Sequence, residues 1–320
     1  MNNCQSSLSC INCGVPQGSI LGRLLFLLYI NDLPNCVPDL NLKIFADDAN
    51  IFVIHKNILD LFRCASAALS NIVNWCTSNK LVISYSKSCY MVFKPSMSIN
   101  NVIALNNLQV SSHNIVIERT YSFKYLGVWF DSGLNWKEHV KKLVAKLNSF
   151  IGLFYKNKDV LPYDCRKALY FSYIYPILCY GIEVYGISNK TTLNNLSVSC
   201  NRIMRALQFV KKSTPSVQLY CHFNTLPISC LHKFNILKIV YRCINTPCKV
   251  PPHFTRVFTI NRFIHNYSTR SSNGIHLFNS YNGNSLIYEM SVLWNALPNS
   301  IKALPTELLF TKALKLHFMS

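Results

Sequence analysis

The sequence predicts an α+β chain, with short β-rich runs and hairpins before about residue 131 and mostly helical segments beyond it. Three observations predict this class. Apolar residues alternate over short runs around Leu42–Ile54, Leu81–Phe93 and Tyr121–Phe130, bounded by turn-forming residues. Two long segments carry apolar residues at three-and-four spacing, one after Asn57 and one after Gly133. From about Val160 the aromatic-rich segments 165–187, 193–211 and 228–245 keep a helical pattern, and no internal repeat interrupts them.

Each element has a local cause. Gly14-Val15-Pro16-Gln17-Gly18 is a turn, and Ser19 caps an apolar helix through Ile20, Leu21, Leu24, Leu25, Leu27 and Leu28 that ends near Asn31-Asp32-Leu33-Pro34. Leu42 to Ile54 reads as a hairpin with Asp47 and Asp48 at its turn. Asn57 opens a helix with one buried stripe, Ile58, Leu61, Phe62, Ala65, Ala68, Leu69, Ile72, Val73 and Cys76, ended by Thr77 to Lys80. Leu81 to Phe93 reads as extended, Val102 to Val110 as a hairpin around Asn106-Asn107, and Tyr121 to Phe130 as a further strand. The helix after Gly133 buries Val140, Leu143, Val144, Leu147, Phe150, Ile151 and Phe154. Its Lys137, Lys141, Lys142 and Lys146 share the other face, which by itself is no more than a solvated surface. Pro251-Pro252, Gly274 and Gly283 mark a loop-rich stretch at 250–285 before the terminal helices.

Composition narrows the function. The 320 residues carry 32 Lys and Arg against 13 Asp and Glu, a net charge of +19. That balance favours a polyanionic partner, nucleic acid before an anionic membrane surface. Leu24 to Ile30 is shorter than the ~20 residues a spanning helix needs. Ala168 to Ile187 is long enough but holds Pro176, Gly181 and Glu183, so no membrane span is expected, although a mean hydropathy of +0.18 keeps a membrane-surface protein as a third class. The 14 cysteines have no regular spacing and no signal peptide precedes them, so free thiols in a reducing, intracellular compartment, nucleus or cytoplasm, are expected. Cys10 and Cys13 form one C-x-x-C. Cys221, His222, Cys230, His232, Cys243 and Cys248 form a loose cluster without zinc-finger spacing.

Asp47 and Asp48 stand out in so basic a chain, within the apolar run Lys43 to Ile54. Two adjacent carboxylates repel each other and are costly to bury, so either a divalent metal compensates them or they are the polar turn between two strands.

Motifs in order carry a resemblance. Gly14-Val15-Pro16-Gln17-Gly18-Ser19-Ile20-Leu21-Gly22, Leu25-Phe26-Leu27-Leu28-Tyr29-Ile30-Asn31-Asp32-Leu33 and Phe45-Ala46-Asp47-Asp48 resemble the reverse transcriptases of non-LTR, LINE-type retrotransposons, in particular the jockey-like lineages. The likeness continues through Trp75, Asn79-Lys80-Leu81, Lys87, Phe123-Lys124-Tyr125-Leu126-Gly127-Val128 and Leu134-Asn135-Trp136. With Tyr267-Ser268-Thr269-Arg270 and Leu293-Trp294-Asn295-Ala296-Leu297-Pro298 it covers roughly residues 10–318.

The resemblance implies a partial reverse-transcriptase palm with its primer-grip hairpin at 1–131, a helical thumb or connection region at 132–250, and a linker with terminal helices at 251–320. It implies RNA-directed DNA polymerase chemistry on an RNA template, a DNA primer and deoxynucleoside triphosphates, with two Mg²⁺ ions bridged in part by Asp47 and Asp48. Asp47 would be the firmer ligand. Gly14, Pro16, Gln17 and Gly18 would lie under the templating base and incoming nucleotide, glycine permitting close backbone approach. Lys87 would stand near the departing pyrophosphate, though as residues alone it is equally an exposed lysine on a strand. Tyr125, Leu126 and Gly127 would grip the primer, and Lys137, Lys141, Lys142 and Lys146 would track phosphates.

The chain departs from the family pattern in three places. Arg23 replaces the usual proline, and Tyr85-Ser86 stand where an asparagine and an acidic residue are common. Met1 to Cys13 carry no carboxylate where the family has a further aspartate motif upstream of the Gly-Val-Pro-Gln-Gly loop. The expectation is a carboxy-terminal polymerase fragment, inactive alone, from a late-started gene model or a decayed element. The alternative is a non-catalytic, basic nucleic-acid-binding fragment.

Overall fold

A computed structural model describes residues 14–15, 18–93, 107–112, 115–157, 159–251, 275 and 286–319. Pro16, Gln17, Cys10, Cys13, most of the expected loop-rich stretch at 250–285 and the Tyr267–Arg270 motif lie outside them. The chain divides into two units, Met1–Tyr121 and Ser122–Ser320. Mixed helices and small sheets make the class α+β, as the patterning predicts.

In the first unit, helix α1 (Ile20–Ile30) starts at Ser19, whose side-chain oxygen accepts from the Gly22 amide at 3.0 Å. Strands β1 (Asn41–Phe45) and β2 (Asp48–Phe52) pair antiparallel with Phe45 opposite Asp48, leaving Ala46-Asp47 as the turn. Helix α2 (Ile58–Ser78) is capped by Asn57, which accepts from the Leu59 amide at 2.9 Å. Its apolar stripe divides between two small cores. Ala68, Ile72 and Cys76 pack with Ile30, Leu33 and Val37, whereas Phe62 packs with Val110 and meets Tyr90 edge-on at 5.8 Å.

Two expectations for this unit change. Leu81–Phe93 is not one extended run: a 3-10 turn, Tyr85–Lys87, precedes a short strand β3 (Cys89–Tyr90). The cause is local, because the Ser88 hydroxyl and amide and the Lys87 amide all donate to the Ser84 carbonyl, which draws the backbone away from a ladder. Residues 102–106 of the hairpin expected at Val102–Val110 lie outside the described ones. The hairpin that is described pairs β4 (Ser111–Ser112) with β5 (Ile115–Val116), and β6 (Glu118–Arg119) runs parallel to β3.

Helix α1 is only lightly packed. Ile20 is 93% exposed, Leu28 66% and Leu24 55%, and Ile30 is the only buried residue in the helix. An apolar helix this open is an aggregation or docking surface.

The second unit begins with a hairpin. Tyr121–Phe130 is two strands, β7 (Ser122–Tyr125) and β8 (Val128–Asp131), turning at Leu126-Gly127. Helix α3 (Lys137–Lys156) follows and buries Val140, Leu143, Leu147 and Phe154 as its periodicity predicts. Residues 163–187 form no single helix. Short helices α4 (Tyr163–Leu169), α5 (Tyr175–Cys179) and α6 (Ile182–Tyr185) are separated by a π-turn at Tyr170–Ile174 and by Gly181, whose φ is +71°. No helix among the described residues is long and apolar enough to cross a membrane.

Helices α7 (Lys190–Gln208), α8 (Ser216–Phe223) and α9 (Ile228–Asn245) complete one core with α3. The terminal helices α10 (Leu286–Ala296), α11 (Asn299–Lys302) and α12 (Glu307–Met319) are built into that core. Phe310 stacks on Tyr241 at 4.3 Å, and Glu307 accepts from Arg242 at 2.7 and 2.8 Å.

His232 on α9 is 5% exposed, with its Nδ1 3.7 Å from Glu289 of α10. Gly186 admits the ring, since a Cβ there would stand 2.2 Å from His232 Cδ2. Burial pushes the imidazole down to about 4, outweighing the Glu183 backbone group that favours the cation; Lys233 adds to the drop. Protonation therefore favours the unfolded chain. Stability from this residue is complete above about pH 6.5 and is lost as pH falls toward 4, up to about 3 kcal/mol. Thermal melts at pH 7.5 and 4.5 should show a smaller acid-induced drop in His232→Phe than in the parent. An equal drop would remove His232 as the cause.

Candidate functional site

The first unit holds a cleft of about 480 Å³. Gly18 and Val15 of the loop, Ser19, Gly22, Arg23 and Phe26 at the start of α1, and Ala46 and Asp47 at the tip of the β1–β2 hairpin line it. The capped helix start and the two-residue turn bring together segments that are distant in sequence. Asp47 lines the cleft and Asp48, the first residue of β2, does not.

Both carboxylates are exposed, which corrects the burial argument. Phe45 is 60% exposed and Phe52 44%, so the apolar run is a partly solvated hairpin whose tip needs no buried counter-charge. Gly14 and Gly18 have φ of +90° and +85°, a conformation glycine adopts without strain, and no described protein atom stands within 4 Å of a Cβ built on either. Arg23, which stands where the family has proline, places a guanidinium in the same cleft. Lys87 is exposed on its 3-10 turn, not on a strand, and does not line the cleft.

In the second unit the hairpin and the lysine-bearing helix are tied together. Leu126 and Gly127 both have positive φ, 45° and 86°, the geometry of a tight hairpin turn with the strand twist. A Cβ at Gly127 would meet Tyr180 Cε1 at 3.0 Å, one at Gly181 would meet Val128 Cγ2 at 3.0 Å, and the Tyr180 hydroxyl donates to the Leu126 carbonyl. Gly127→Val should therefore cost about 2 kcal/mol through backbone strain and collision with Tyr180. An unchanged melting temperature would show that the turn relaxes freely.

Asp131 joins β8 to α3. Its Oδ1 accepts from the Gly133 and Asn135 amides at 3.1 and 3.0 Å, and its Oδ2 accepts from the Trp136 amide at 2.8 Å. The buried His139 accepts from the Trp129 amide through Nδ1 at 3.3 Å. Sequence reasoning missed Asp131, His139, Tyr180 and Gly181 as parts of this assembly. The Asp131-Ser132-Gly133 turn was the one available signal.

Lys137, Lys141, Lys142 and Lys146 are all exposed on α3. Lys142 lies 5.3 Å from the Trp129 ring centroid and 3.8 Å from Glu138, while no ion pair among the described residues involves the other three. Charge is concentrated in this unit: residues 122–320 carry 24 Lys and Arg against 7 Asp and Glu, residues 1–121 only 8 against 6.

Residues 1–130 match the family described as reverse transcriptase (RNA-dependent DNA polymerase). The chain is similar to the RNA-directed DNA polymerases of jockey-like mobile elements. It is 27% identical to the RNA-directed DNA polymerase from mobile element jockey of Drosophila melanogaster, over 63% of this chain and 22% of that protein. The polymerase of the same name from Drosophila funebris is 26% identical over 64% and 23%. The probable RNA-directed DNA polymerase from transposon BS of Drosophila melanogaster is 26% identical over 61% and 22%. The chain thus spans less than a quarter of the length of these polymerases. No solved structure matches it significantly.

Asp47 and Asp48 are the hard oxygen donors that suit Mg²⁺, which binds through one or two carboxylates plus water and substrate phosphates. No group of three or more His, Cys, Asp or Glu that could hold a metal occurs among the described residues. The cysteines and histidines of 221–248 do not assemble either: Cys243 is buried within α9, and His232 faces Glu289. The described cysteines are free thiols.

Proposed function

We propose that this chain is part of an RNA-directed DNA polymerase in which Asp47 and Asp48 hold Mg²⁺ for nucleotidyl transfer to a DNA primer on an RNA template. The observation that carries the reading is the cleft shared by Asp47, the Gly18 turn and the first turns of α1. Residues 1–121 are the palm segment. The Leu126-Gly127 hairpin, with Tyr125, is the primer grip, and α3 is the thumb helix whose lysines follow the phosphate backbone.

Each residue then has a task. Asp47 and Asp48 bind metal at the cleft mouth, and the loop 14–18, Pro16 and Gln17 included, supports the incoming deoxynucleoside triphosphate and templating base. Bound Mg²⁺ would supply activation of the primer 3′-oxygen and charge neutralisation at the leaving pyrophosphate. The role of Lys87 beside the pyrophosphate rests on the resemblance alone. Anchoring by Asp131 and Tyr180 keeps the grip hairpin and the lysine face in one register.

Two carboxylates do not bridge two metals by themselves, so the 320 residues assayed alone should give no primer extension on a primed RNA template with Mg²⁺ or Mn²⁺. Extension that Asp47→Ala abolishes would overturn that expectation and uphold the polymerase assignment.

The second reading, a non-catalytic nucleic-acid-binding fragment, is favoured by the charge of residues 122–320. It predicts salt-sensitive binding to primed duplex that survives Asp47→Ala. Neutralising Lys141, Lys142 and Lys146 should flatten the salt slope by up to roughly 3, and an unchanged slope would count against this reading.

A further inference from the structure

Between Glu183 and Glu289 the sequence contains no acidic residue, while the same interval holds 12 Lys and Arg. Helices α7, α8 and α9 all fall inside it, so their cations find carboxylates only on neighbouring elements. Arg242 finds one in Glu307. At the opposite chemical extreme stands the end of α7, where basic and aromatic side chains meet.

Phe209 closes α7 in the left-handed conformation, with φ of 54°, a position that favours glycine and strains a bulky residue. Its ring is 37% exposed. The Arg166 guanidinium lies 4.2 Å from that ring centroid and 5.8 Å from that of Tyr163, held by a hydrogen bond from its Nη1 to the Leu207 carbonyl. Tyr163 in turn meets the exposed His222 edge-on at 5.1 Å. Lys211 and Lys212 follow Phe209 after one residue, Val210, and are exposed. On the same side of this cluster Lys315 of α12 donates to the Asn224 carbonyl at 2.6 Å, and its ammonium is pushed down by desolvation and by nearby Lys167. Asp164 is the carboxylate on α4 beside them.

We propose that this surface, Phe209 backed by Arg166 and flanked by Lys211 and Lys212, binds single-stranded RNA, with a base on the Phe209 ring and phosphates on the lysines. An aromatic kept in a conformation that suits glycine, and stacked against a guanidinium, is a platform for a π-face. Lys211 and Lys212, close to it in sequence and in no ion pair among the described residues, supply the electrostatic half of such a site. The choice of RNA rests on the polymerase reading above, whose template it is.

The test is fluorescence anisotropy with the full 320-residue chain and a labelled single-stranded RNA, titrated over a range of salt. Phe209→Gly removes the ring while easing the backbone, so it should keep or raise the melting temperature and weaken binding about tenfold. Lys211→Gln with Lys212→Gln should flatten the salt slope by roughly 1.4. Phosphatidylserine vesicles should bind more weakly than the RNA, and Phe209→Gly should weaken single-stranded RNA more than RNA duplex, which the α3 lysines also hold. Asp39→Asn, an exposed carboxylate change within residues 1–121, should leave the RNA affinity unchanged. Unaltered RNA affinity in a folded Phe209→Gly chain overturns the proposal, and so does an equal loss for the duplex or tighter binding of vesicles.

Discussion

Asp47→Asn is expected to lower Mn²⁺ affinity of the chain at least about tenfold, while Asp48→Asn lowers it less. The amide keeps the shape of the side chain and its exposed place in the Ala46-Asp47 turn, so the fold is not at stake. What changes is donor charge, the property that sets affinity at an oxygen-ligand site. The asymmetry follows from Asp47 lining the cleft with Gly18, Ser19 and Arg23 while Asp48 pairs with Phe45. Electron paramagnetic resonance of free Mn²⁺ during titration measures both variants directly. Equal, undiminished affinity in Asp47→Asn would make the pair a solvated hairpin turn and leave the second reading in possession of the field.

Asp131→Ala should cost about 3 kcal/mol or more, because one carboxylate accepts three backbone amides and hydrogen bonds to a charged acceptor are each worth about 1.5–3 kcal/mol without adding fully. Those bonds also hold a strained path. Leu134 and Trp136 adopt φ of 49° and 62°, and Trp136, with its ring 5.2 Å from Phe130, is buried at the first turn of α3. Without Asp131 the 131–136 loop has no reason to keep either conformation. In a unit of this size the loss corresponds to a melting temperature lower by roughly 6–12 °C. Asp131→Asn retains one carbonyl acceptor and should fall between. A melt of Asp131→Ala that matches the parent would show that packing of Trp136 alone sets the loop.

The two effects differ in how readable they were. Asp47 and Asp48 announce themselves by composition and neighbours: rare acids inside a β-rich run, followed and preceded by the motifs of a reverse transcriptase. Asp131 looks in sequence like an ordinary turn residue. Its importance lies in amides two to five positions further on, which converge on it only because two of those residues are left-handed. Tyr180 and Gly181 were hidden for a different reason. They reach the Leu126-Gly127 turn across more than fifty residues, and no local pattern reports a contact of that kind.

The failures have equally specific causes. Alternation over Leu81–Phe93 was a fair strand signal, yet hydroxyl and amide donors gathered on the Ser84 carbonyl and made a 3-10 turn instead. The aromatic-rich segment 165–187 is helical as its pattern suggested, but no local signal showed the π-turn at Tyr170–Ile174 or the break at the left-handed Gly181. The loose cysteine and histidine cluster is spread over α8, α9 and the 3-10 turn at Pro247–Lys249, with Cys243 and His232 buried and Cys221 exposed.

By itself the sequence determined the class, the helices with clear periodicity, the Ser19 and Asn57 caps, the turn that carries Asp47, and the likeness to jockey-like reverse transcriptases. These are properties of neighbouring residues: hydrophobic period, capping chemistry and motif order act within a few turns of chain. Tertiary structure decided that Asp47 rather than Asp48 shares a cleft with the Gly18 turn, that Lys87 stands outside it, and that Asp131 and Tyr180 hold the Leu126-Gly127 hairpin and the loop after it. It also decided that the terminal helices complete the core around Tyr241 and Phe310. The reason is physical. A cleft, an anchor and a buried stack each depend on which distant surfaces exclude water together, and that is settled by packing, not by any one segment.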